Sequence, residues 1–208
     1  MINRKAIGYI TANYTSKQHS ALLESRPLAS VPFMGRYRLI DFPLSNMMNA
    51  GIRTVGVVLP ANYRSLVDHL GSGREWELDR KKGGLFLLQG SAYGTAKKGI
   101  RFLLRDINTN KMLFQRASEP YVVMSATNIV FNMDLSDVID AHERSGSGVT
   151  MIYKKADRQL GDVMKLDIDN NGRVTDLCSG CAYGENEFLD CFIINRRSEE
   201  HTSELQSP

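Results

Sequence analysis

The run VPFMGRYRLIDFPLSNMMNAG, residues 31–51, combines a turn, a basic segment and the beginning of a helix. Arg36 and Arg38 supply the basic segment, and Pro43 stands just before residues 44–50, which are predicted to be helical. Proline favours the first turn of a helix, because its missing N–H would be unpaired there in any case. Small, basic and turn-forming residues ahead of a helix are typical of a loop that handles phosphate and sugar groups.

The length and composition are those of a single α/β domain of ordinary polarity. A chain of 208 residues can bury a substantial core, and its 42% hydrophobic and 24% charged residues are normal for a globular protein. Its apolar runs are too short to span a bilayer, and the sequence shows no secretory signal. The odd set of three cysteines, Cys178, Cys181 and Cys191, predicts reduced thiols and a cytoplasmic location.

Residues 197–208 (RSEEHTSELQSP) differ in character from the rest of the chain. They follow a strand-like run without turn-forming residues and resemble the translation of a sequencing adapter, so we expect a non-native tail outside the fold. They contain one arginine and three glutamates, so the net charge of +3 becomes +5 without them. That mild excess suits anionic small molecules but lacks the clustered stripe that nucleic-acid binding needs. We therefore predict neither a nucleic-acid nor a membrane partner.

Apolar runs alternate with segments of helical periodicity, which predicts βαβ units and a mainly parallel sheet. The predicted strands are residues 6–10, 54–59, 85–88, 121–125, 148–153, 163–168, 173–177 and 191–194. The predicted helices are residues 44–50, 64–70, 95–106 and 134–144. No internal repeat or linker interrupts this pattern, so residues 1–196 are predicted to form one domain.

These segments together resemble the nucleotidyltransferase domain of the glucose-1-phosphate adenylyltransferases, or ADP-glucose pyrophosphorylases. The run at residues 31–51 carries the resemblance, and residues 69–73 (HLGSG), Trp76 and residues 93–96 (YGTA) extend it. It implies a three-layer, Rossmann-like α/β fold of the nucleotide-diphospho-sugar transferase type. The resemblance covers residues 1–196, only part of a typical subunit, and implies an incomplete domain without the family's C-terminal β-helix. We expect such a fragment to expose an unpaired sheet edge, which favours aggregation.

Two positions near the start of the chain depart from active members of this family. In those members a glycine-rich loop after the first strand wraps the triphosphate, whereas residues 11–34 here contain no glycine. An Arg-x-Lys-Pro motif then precedes the turn, and here Arg26 is retained while Leu28 replaces the lysine. Leucine cannot stabilise developing negative charge, and one such electrostatic contact is commonly worth ~3–4 kcal/mol in a barrier.

The most specific departure follows the strand at residues 121–125. Active members carry Gly-Asp there, and that aspartate holds a Mg²⁺ that bridges nucleotide and sugar phosphates. This chain has Thr127 instead, and a neutral hydroxyl is a poor ligand for Mg²⁺. Residues 177–180 (LCSG) lack the charges of the family's Glu-Lys-Pro motif. Lys97 replaces the acidic residue that follows the family's Gly-Thr-Ala segment. The resemblance therefore implies no catalytic residue, metal or cofactor in this chain, with Mg²⁺ confined to an active partner subunit.

The residues retained from the family motifs are candidate ligands of a nucleotide or sugar phosphate. They are Arg26, Gly71, Gly73, Gly94, Thr95 and Ala96. The backbone N–H groups of a helix that begins near Thr95 could hold an anion. A scaffold role is the competing interpretation of the two glycine segments, since turn glycines are common and function depends on the site.

Other chemical patterns are better explained as structure. Residues 167–172 (DIDNNG) copy the first half of a calcium loop, but Cys178 stands where the final glutamate would be, so we predict a turn between strands. Cys178 and Cys181 form half of a zinc motif without a second pair. His69 and His142 fall in helical registers and are predicted to be packed or surface residues rather than acid–base groups.

The pattern most resembles the non-catalytic, regulatory-type subunits that accompany an active adenylyltransferase in some bacteria. That resemblance implies a hetero-oligomer, expected to be a tetramer, with the catalytic subunit, whose reaction is ATP plus glucose 1-phosphate giving ADP-glucose plus pyrophosphate. It also implies a sugar-phosphate or nucleotide effector. Two alternatives stay open: a catalytic adenylyltransferase that uses substitute residues, and a free-standing sensor of sugar phosphates or nucleotides.

Overall fold

The computed structural model describes residues 5–13, 23, 26–91 and 102–196. Its strands are β1 (Ala6–Thr11), β2 (Pro32–Phe33), β3 (Tyr37–Arg38), β4 (Thr54–Leu59), β5 (Gly84–Gln89), β6 (Tyr121–Ala126), β7 (Val149–Lys155), β8 (Leu160–Ile168), β9 (Val174–Cys181) and β10 (Asn186–Asn195). Its helices are α1 (Asp41–Asn49), α2 (Arg64–Leu70), α3 (Leu104–Thr109), α4 (Lys111–Arg116) and α5 (Leu135–Ser145), with 3₁₀ turns at Leu28–Ser30 and Arg74–Trp76. None of these helices is long and apolar enough to cross a membrane.

The large sheet has eight strands and consists of a parallel half and an antiparallel half. The strand order is β5-β4-β1-β6-β10-β8-β9, and β7 also pairs with β10. β5, β4, β1 and β6 run parallel, so their carboxyl ends meet at one edge. From β6 onward the strands pair in antiparallel fashion. The predicted α/β class is confirmed, and antiparallel strands extend the parallel sheet of the βαβ units.

Helices cover both faces of the parallel half, which gives three layers. One face packs against α1, α2 and α5 through residues that include Leu44, Leu66 and Ile139. The opposite face packs against α4 through Leu113 and Phe114. All six residues of β1 are buried, because this central strand has a helical layer on each side. Side chains of a strand alternate between its two faces, so β1 contributes to both cores.

Helix α1 begins at Asp41, three residues before the predicted start at residue 44. Pro43 lies within its first turn, as the sequence indicated. The carboxylate of Asp41 accepts the backbone N–H of Arg38 at 2.9 Å. A negative charge in the first turn of a helix also interacts favourably with the helix dipole. Asp41 therefore links the β2–β3 hairpin to the start of α1.

The helix predicted over residues 95–106 is confirmed in its described part only for residues 104–106, and residues 102 and 103 are not helical. Leu103 has extended backbone angles, φ −111° and ψ 123°, and α3 begins only at Leu104. Phe102 packs edge-on against Phe192 of β10, with ring centroids 4.9 Å apart. This contact between residues distant in sequence places the chain outside a helix at that point, and local spacing does not reveal it. The sequence also missed α4, and residues 95–101 lie outside the described part.

Candidate functional site

Buried polar residues lie at the carboxyl ends of the parallel strands, where ligands of open α/β sheets bind. β1 and β6 are adjacent and in register up to Thr11 and Ala126. Asn13 follows β1, while Thr127 and Asn128 follow β6. Asn13 and Thr127 are each only 2% exposed. These polar groups at adjacent strand ends form the candidate site.

The side-chain amide of Asn13 is held by a buried carboxylate. Its Nδ2 donates to Oδ2 of Asp106 at 3.0 Å, and it also lies within hydrogen-bond distance of the carbonyl and hydroxyl oxygens of Ser91. Oδ1 of Asp106 accepts the backbone N–H of Ser91 at 2.8 Å. The network joins the ends of β1 and β5 to α3. Among the described residues, Oδ1 of Asn13 has no hydrogen-bond donor.

Asn128 repeats this arrangement on the neighbouring strand. Its Nδ2 donates to Oδ2 of Asp190 at 2.7 Å. Asp190 is buried and lies in an irregular part of β10, between Phe188 and Phe192, with φ of 50°. Aspartate adopts this left-handed conformation more readily than most residues, since its short polar side chain bonds locally. Within the described ranges, Oδ1 of Asn128 likewise meets no donor.

Thr127 occupies the predicted metal position, and its hydroxyl has no hydrogen-bond partner in the part of the chain that the structure describes. Mg²⁺ prefers anionic oxygens in near-octahedral geometry. The carboxylate of Asp190 accepts the side-chain amide of Asn128, the residue after Thr127. The donor set therefore does not fit a resident Mg²⁺. A group of three residues close enough to hold a metal occurs, among the described residues, only on the β8–β9 hairpin: Asp167, Asp176 and Cys178.

Leu28 and Arg26 precede the β2–β3 hairpin. Leu28 begins the 3₁₀ turn, where its carbonyl oxygen accepts the backbone N–H of Val31 at 3.0 Å. The half-buried leucine side chain puts no charge at the position where active relatives of the resembled family need a lysine. Arg26 is also half-buried, and no described residue pairs with its guanidinium. Its assignment as a ligand of a phosphate stays a prediction.

Gly71 and Gly73 form the turn that ends α2. Their φ angles of 50° and 79° lie in the left-handed region that glycine adopts without strain. A Cβ on Gly73 would lie 3.0 Å from the Cβ atoms of Leu78 and Leu85. This geometry supports the scaffold interpretation, while ligand binding by the two glycines stays untested. The other predicted ligands, Gly94, Thr95 and Ala96, lie outside the described residues.

His69 and His142, the two histidines in the described part of the chain, are packed, which is one of the two roles that the sequence predicted. Nε2 of His69 lies 2.6 Å from Oδ1 of Asp41, which connects α2 to α1. His142 is 1% exposed, and its two ring nitrogens contact the Thr150 hydroxyl at 2.7 Å and Oδ1 of Asn195 at 3.2 Å. Local spacing did not distinguish a packed from a surface position and gave no sign of these partners.

The motif at residues 167–172 forms the predicted turn between β8 and β9. Oδ1 of Asp169 accepts the backbone N–H groups of Asn171 and Arg173, at 2.9 and 2.8 Å. Asp169 is therefore committed to the turn. The thiol of Cys178 donates to Asp176 at 3.2 Å, and Cys178, Cys181 and Cys191 are all free thiols. Residues 177–180, where the resembled family carries Glu-Lys-Pro, lie within β9.

Sequence reasoning placed Thr127 at this edge but missed both Asn–Asp pairs. Asn13 and Asn128 could have been found, since each follows a predicted buried strand that ends at the ligand-binding edge. Asp106 and Asp190 carry no local signal, because they lie 93 and 62 residues from the asparagines that they hold.

Comparison with known proteins identifies the family. The nucleotidyl transferase family model matches residues 22–178. The glycogen biosynthesis protein GlgD of Bacillus subtilis (strain 168) is 37% identical over 182 residues, which cover 86% of this chain and 51% of that protein. GlgD of Geobacillus stearothermophilus is 38% identical over 73% of this chain and 44% of its own length. The glucose-1-phosphate adenylyltransferase of Pseudothermotoga lettingae is 36% identical over 80% of this chain and 40% of its own length. The chain spans about half the length of the curated relatives it matches.

A solved structure shows the same fold. A Bacillus anthracis protein assigned as a glucose-1-phosphate thymidylyltransferase, in complex with a sucrose, superposes with a TM-score of 0.75 at 13% identity. The superposition covers 97% of this chain and 76% of that one. The predicted nucleotide-diphospho-sugar transferase fold is confirmed. The matched family model spans most of the chain, and the chain belongs to the nucleotidyl transferase family.

Proposed function

We propose that this chain is a nucleotidyltransferase domain of a glycogen-biosynthesis protein that regulates an active glucose-1-phosphate adenylyltransferase and performs no nucleotidyl transfer itself. The observation that carries the proposal is Thr127, a buried neutral hydroxyl at the end of β6, where an anionic metal ligand would be needed. Leu28 is a second neutral position. The similarity to two GlgD proteins, both named as glycogen biosynthesis proteins, supports the assigned process.

The electrostatics of the site support a non-catalytic role. In the partner's reaction, ATP and glucose 1-phosphate bring phosphate oxygens of the same charge together, so cations must offset the repulsion. The described residues at this edge instead supply a hydroxyl and two amide carbonyl oxygens, with the carboxylates of Asp106 and Asp190 behind them. A hydroxyl and two amide carbonyl oxygens supply no positive charge to offset that repulsion.

The packed core is compatible with a regulatory role. The helices and strands of both layers are in place, so the domain can present a defined surface to a partner subunit. Regulation across such an interface corresponds to a coupling free energy of about 1–3 kcal/mol. We propose a cytoplasmic hetero-oligomer, a tetramer, in which the catalytic subunit alone holds Mg²⁺ and a sugar phosphate or nucleotide acts as effector.

Co-purification with a catalytic subunit tests this proposal. The full-length protein that carries this chain is co-expressed with an adenylyltransferase subunit that has the glycine loop, the lysine and the aspartate. We expect a stable complex whose half-saturating glucose 1-phosphate concentration differs by about 5- to 150-fold from that of the catalytic subunit alone. The catalytic subunit at equal concentration is the control. Separate elution of the two proteins together with an unchanged saturation curve would contradict the proposal.

A further inference from the structure

The β2–β3 hairpin exposes a group of apolar side chains. Met34 is 80% exposed, Tyr37 is 49% exposed and Phe33 is 37% exposed. The rings of Phe33 and Tyr37 pack against the half-buried Phe42 of α1, with ring-centroid distances of 5.3 and 6.1 Å, respectively. One short hairpin therefore holds two supported aromatic rings and a methionine that face solvent. Exposed apolar side chains that lie together on a surface mark interaction sites.

The backbone conformation of Met34 is not explained by folding. Its φ of 52° lies in the left-handed region, where residues other than glycine are strained. The described part of the chain holds two other such residues, Glu77 and Asp190, and both have polar partners. Glu77 lies 3.6 Å from Arg80, and Asp190 accepts the amide of Asn128 at 2.7 Å. Met34 combines the same strain with an exposed apolar side chain. Strain of this kind is retained at functional sites, so Met34 indicates contact with another molecule.

The hairpin is held rigidly on the domain. The carboxylate of Asp41 accepts the backbone N–H of Arg38 at 2.9 Å. The guanidinium of Arg38 donates to the carbonyl oxygen of Ser65 in α2 at 2.6 Å. The backbone N–H of Leu39 donates to the carbonyl oxygen of Val31 at 3.2 Å. Because these bonds fix the hairpin in advance, little conformational entropy is lost when its tip binds a partner.

The hairpin segment carries positive charge without neighbouring acids in the sequence. Residues 26–40 contain three arginines and no acidic residue. Arg36 is exposed and pairs with no carboxylate in the described part of the chain. Aromatic, methionine and arginine side chains are the types enriched at protein–protein interfaces. A complementary partner therefore offers an apolar pocket with a carboxylate at its rim.

We propose that the β2–β3 hairpin is the surface through which this protein docks on the catalytic adenylyltransferase subunit. Met34 and the exposed edges of Phe33 and Tyr37 enter an apolar pocket of that subunit, and Arg36 pairs with a carboxylate at the pocket rim. This inference rests on the proposed function and names the contact surface. A membrane is a less suitable partner, because one exposed arginine supplies little electrostatic attraction to anionic lipids.

Met34→Gly tests the docking surface. Calorimetric titration measures the affinity of the full-length protein that carries this chain for the catalytic subunit. Glycine adopts φ of 52° without strain, so the variant should have a Tm equal to or above that of the wild type. We expect its affinity to fall at least about tenfold, as for a central interface side chain. Tyr183→Gly is the matched control, because it removes a side chain that is 78% exposed between β9 and β10, and its affinity should be unchanged.

Arg36→Glu tests the charge at the pocket rim. We expect the affinity for the catalytic subunit to fall about tenfold or more, because the substitution sets a carboxylate against a carboxylate. The wild-type affinity should also fall as NaCl is raised, since salt screens the ion pair. Arg158→Glu is the matched control. It reverses an exposed arginine between β7 and β8 and should leave the affinity unchanged.

An unchanged affinity in M34G or in R36E would overturn the inference and leave the regulatory proposal standing. Flotation of the wild-type protein, but not of M34G, with vesicles of phosphatidylcholine and phosphatidylserine would also overturn it, since the hairpin would then bind membranes. ADP-glucose synthesis by the partner-free protein would contradict the proposed function alone. Failure of the wild-type protein to bind the catalytic subunit would overturn both.

Discussion

The carboxylate of Asp106 accepts the side-chain amide of Asn13 at 3.0 Å, although 93 residues separate the two. Its other oxygen accepts the backbone N–H of Ser91 at 2.8 Å. Asp106 is only 3% exposed. A single buried carboxylate therefore joins the ends of β1 and β5 to α3, and so holds together one side of the candidate site.

Removing that carboxylate should destabilise the domain. Asp106→Ala leaves a buried amide and a backbone N–H without their acceptor, and we expect the free energy of unfolding to fall by about 3 kcal/mol. Urea denaturation measures this change. Asp157→Ala, at an exposed aspartate, is the control and should change stability by less than about 0.5 kcal/mol. Equal losses of unfolding free energy in the two variants would show that Asp106 stabilises the domain no more than an exposed aspartate does.

Placing a carboxylate at the predicted metal position should create a response to magnesium. Thr127→Asp buries a negative charge next to Asn128, whose side-chain amide donates to the Asp190 carboxylate. Without metal, we expect the free energy of unfolding to fall by about 3 kcal/mol. Excess MgCl₂ should recover part of that loss, since the cation offsets the added charge. Thermal melts with and without MgCl₂ measure both effects.

Thr127→Asn is the matched control, because asparagine has nearly the size of aspartate and no charge. Its Tm should not respond to MgCl₂. If MgCl₂ raised the Tm of wild type, T127N and T127D alike, the assignment of residue 127 as the missing metal ligand would be wrong.

The glycine turn after α2 should be required for stability. Gly73→Ala forces a side chain into φ of 79° and sets its Cβ 3.0 Å from the Cβ atoms of Leu78 and Leu85. We expect a loss of about 1–3 kcal/mol in unfolding free energy. Gly148→Ala is the control, because its added Cβ meets no atom within 4 Å and its φ is ordinary. Chemical denaturation showing equal stability for the two variants would contradict the scaffold interpretation of Gly73.

Cys191 should make the domain less stable in alkaline solution. Burial raises the pKa of the Cys191 thiol to about 12. In the unfolded chain the thiol has its ordinary pKa of about 8.5. Above that pH the unfolded chain releases a proton that the folded chain keeps, which favours unfolding. The unfolding free energy should therefore be level below about pH 8.5 and fall by up to about 1.4 kcal/mol per pH unit above it.

Urea unfolding between about pH 7 and about pH 10 measures this slope. Cys191→Ala should lower stability at neutral pH, because packing is lost, and should flatten the alkaline decline. A decline as steep in C191A as in the wild type would assign the pH dependence to other groups.

The local sequence predicted correctly the bounds of two elements that are followed by a proline or a glycine. The predicted bounds of β4 and α2, residues 54–59 and 64–70, are those observed. Pro60 follows β4, and Gly71 follows α2 with φ of 50°. A proline removes a backbone donor and a glycine adopts the left-handed region, so the chain direction changes at these residues in any tertiary context.

Elements whose conformation depends on distant partners were not predictable. β10 covers residues 186–195, but only residues 191–194 were predicted, because Glu187 and Asp190 interrupt the apolar run. Both acids are buried in the strand. Glu187 is compensated by Lys154 at 3.2 Å and Asp190 by Asn128 at 2.7 Å. Buried polar residues are mistaken for loop residues when the tertiary partners that permit their burial are not known.

Synthesis of ADP-glucose by the purified full-length protein, without a partner subunit, tests the central claim most directly. The assay supplies ATP, glucose 1-phosphate and Mg²⁺ and follows the release of pyrophosphate. The neutral residues Leu28 and Thr127 predict no turnover above background. Turnover at an ordinary enzymatic rate, about 1 s⁻¹ or faster, would contradict the account.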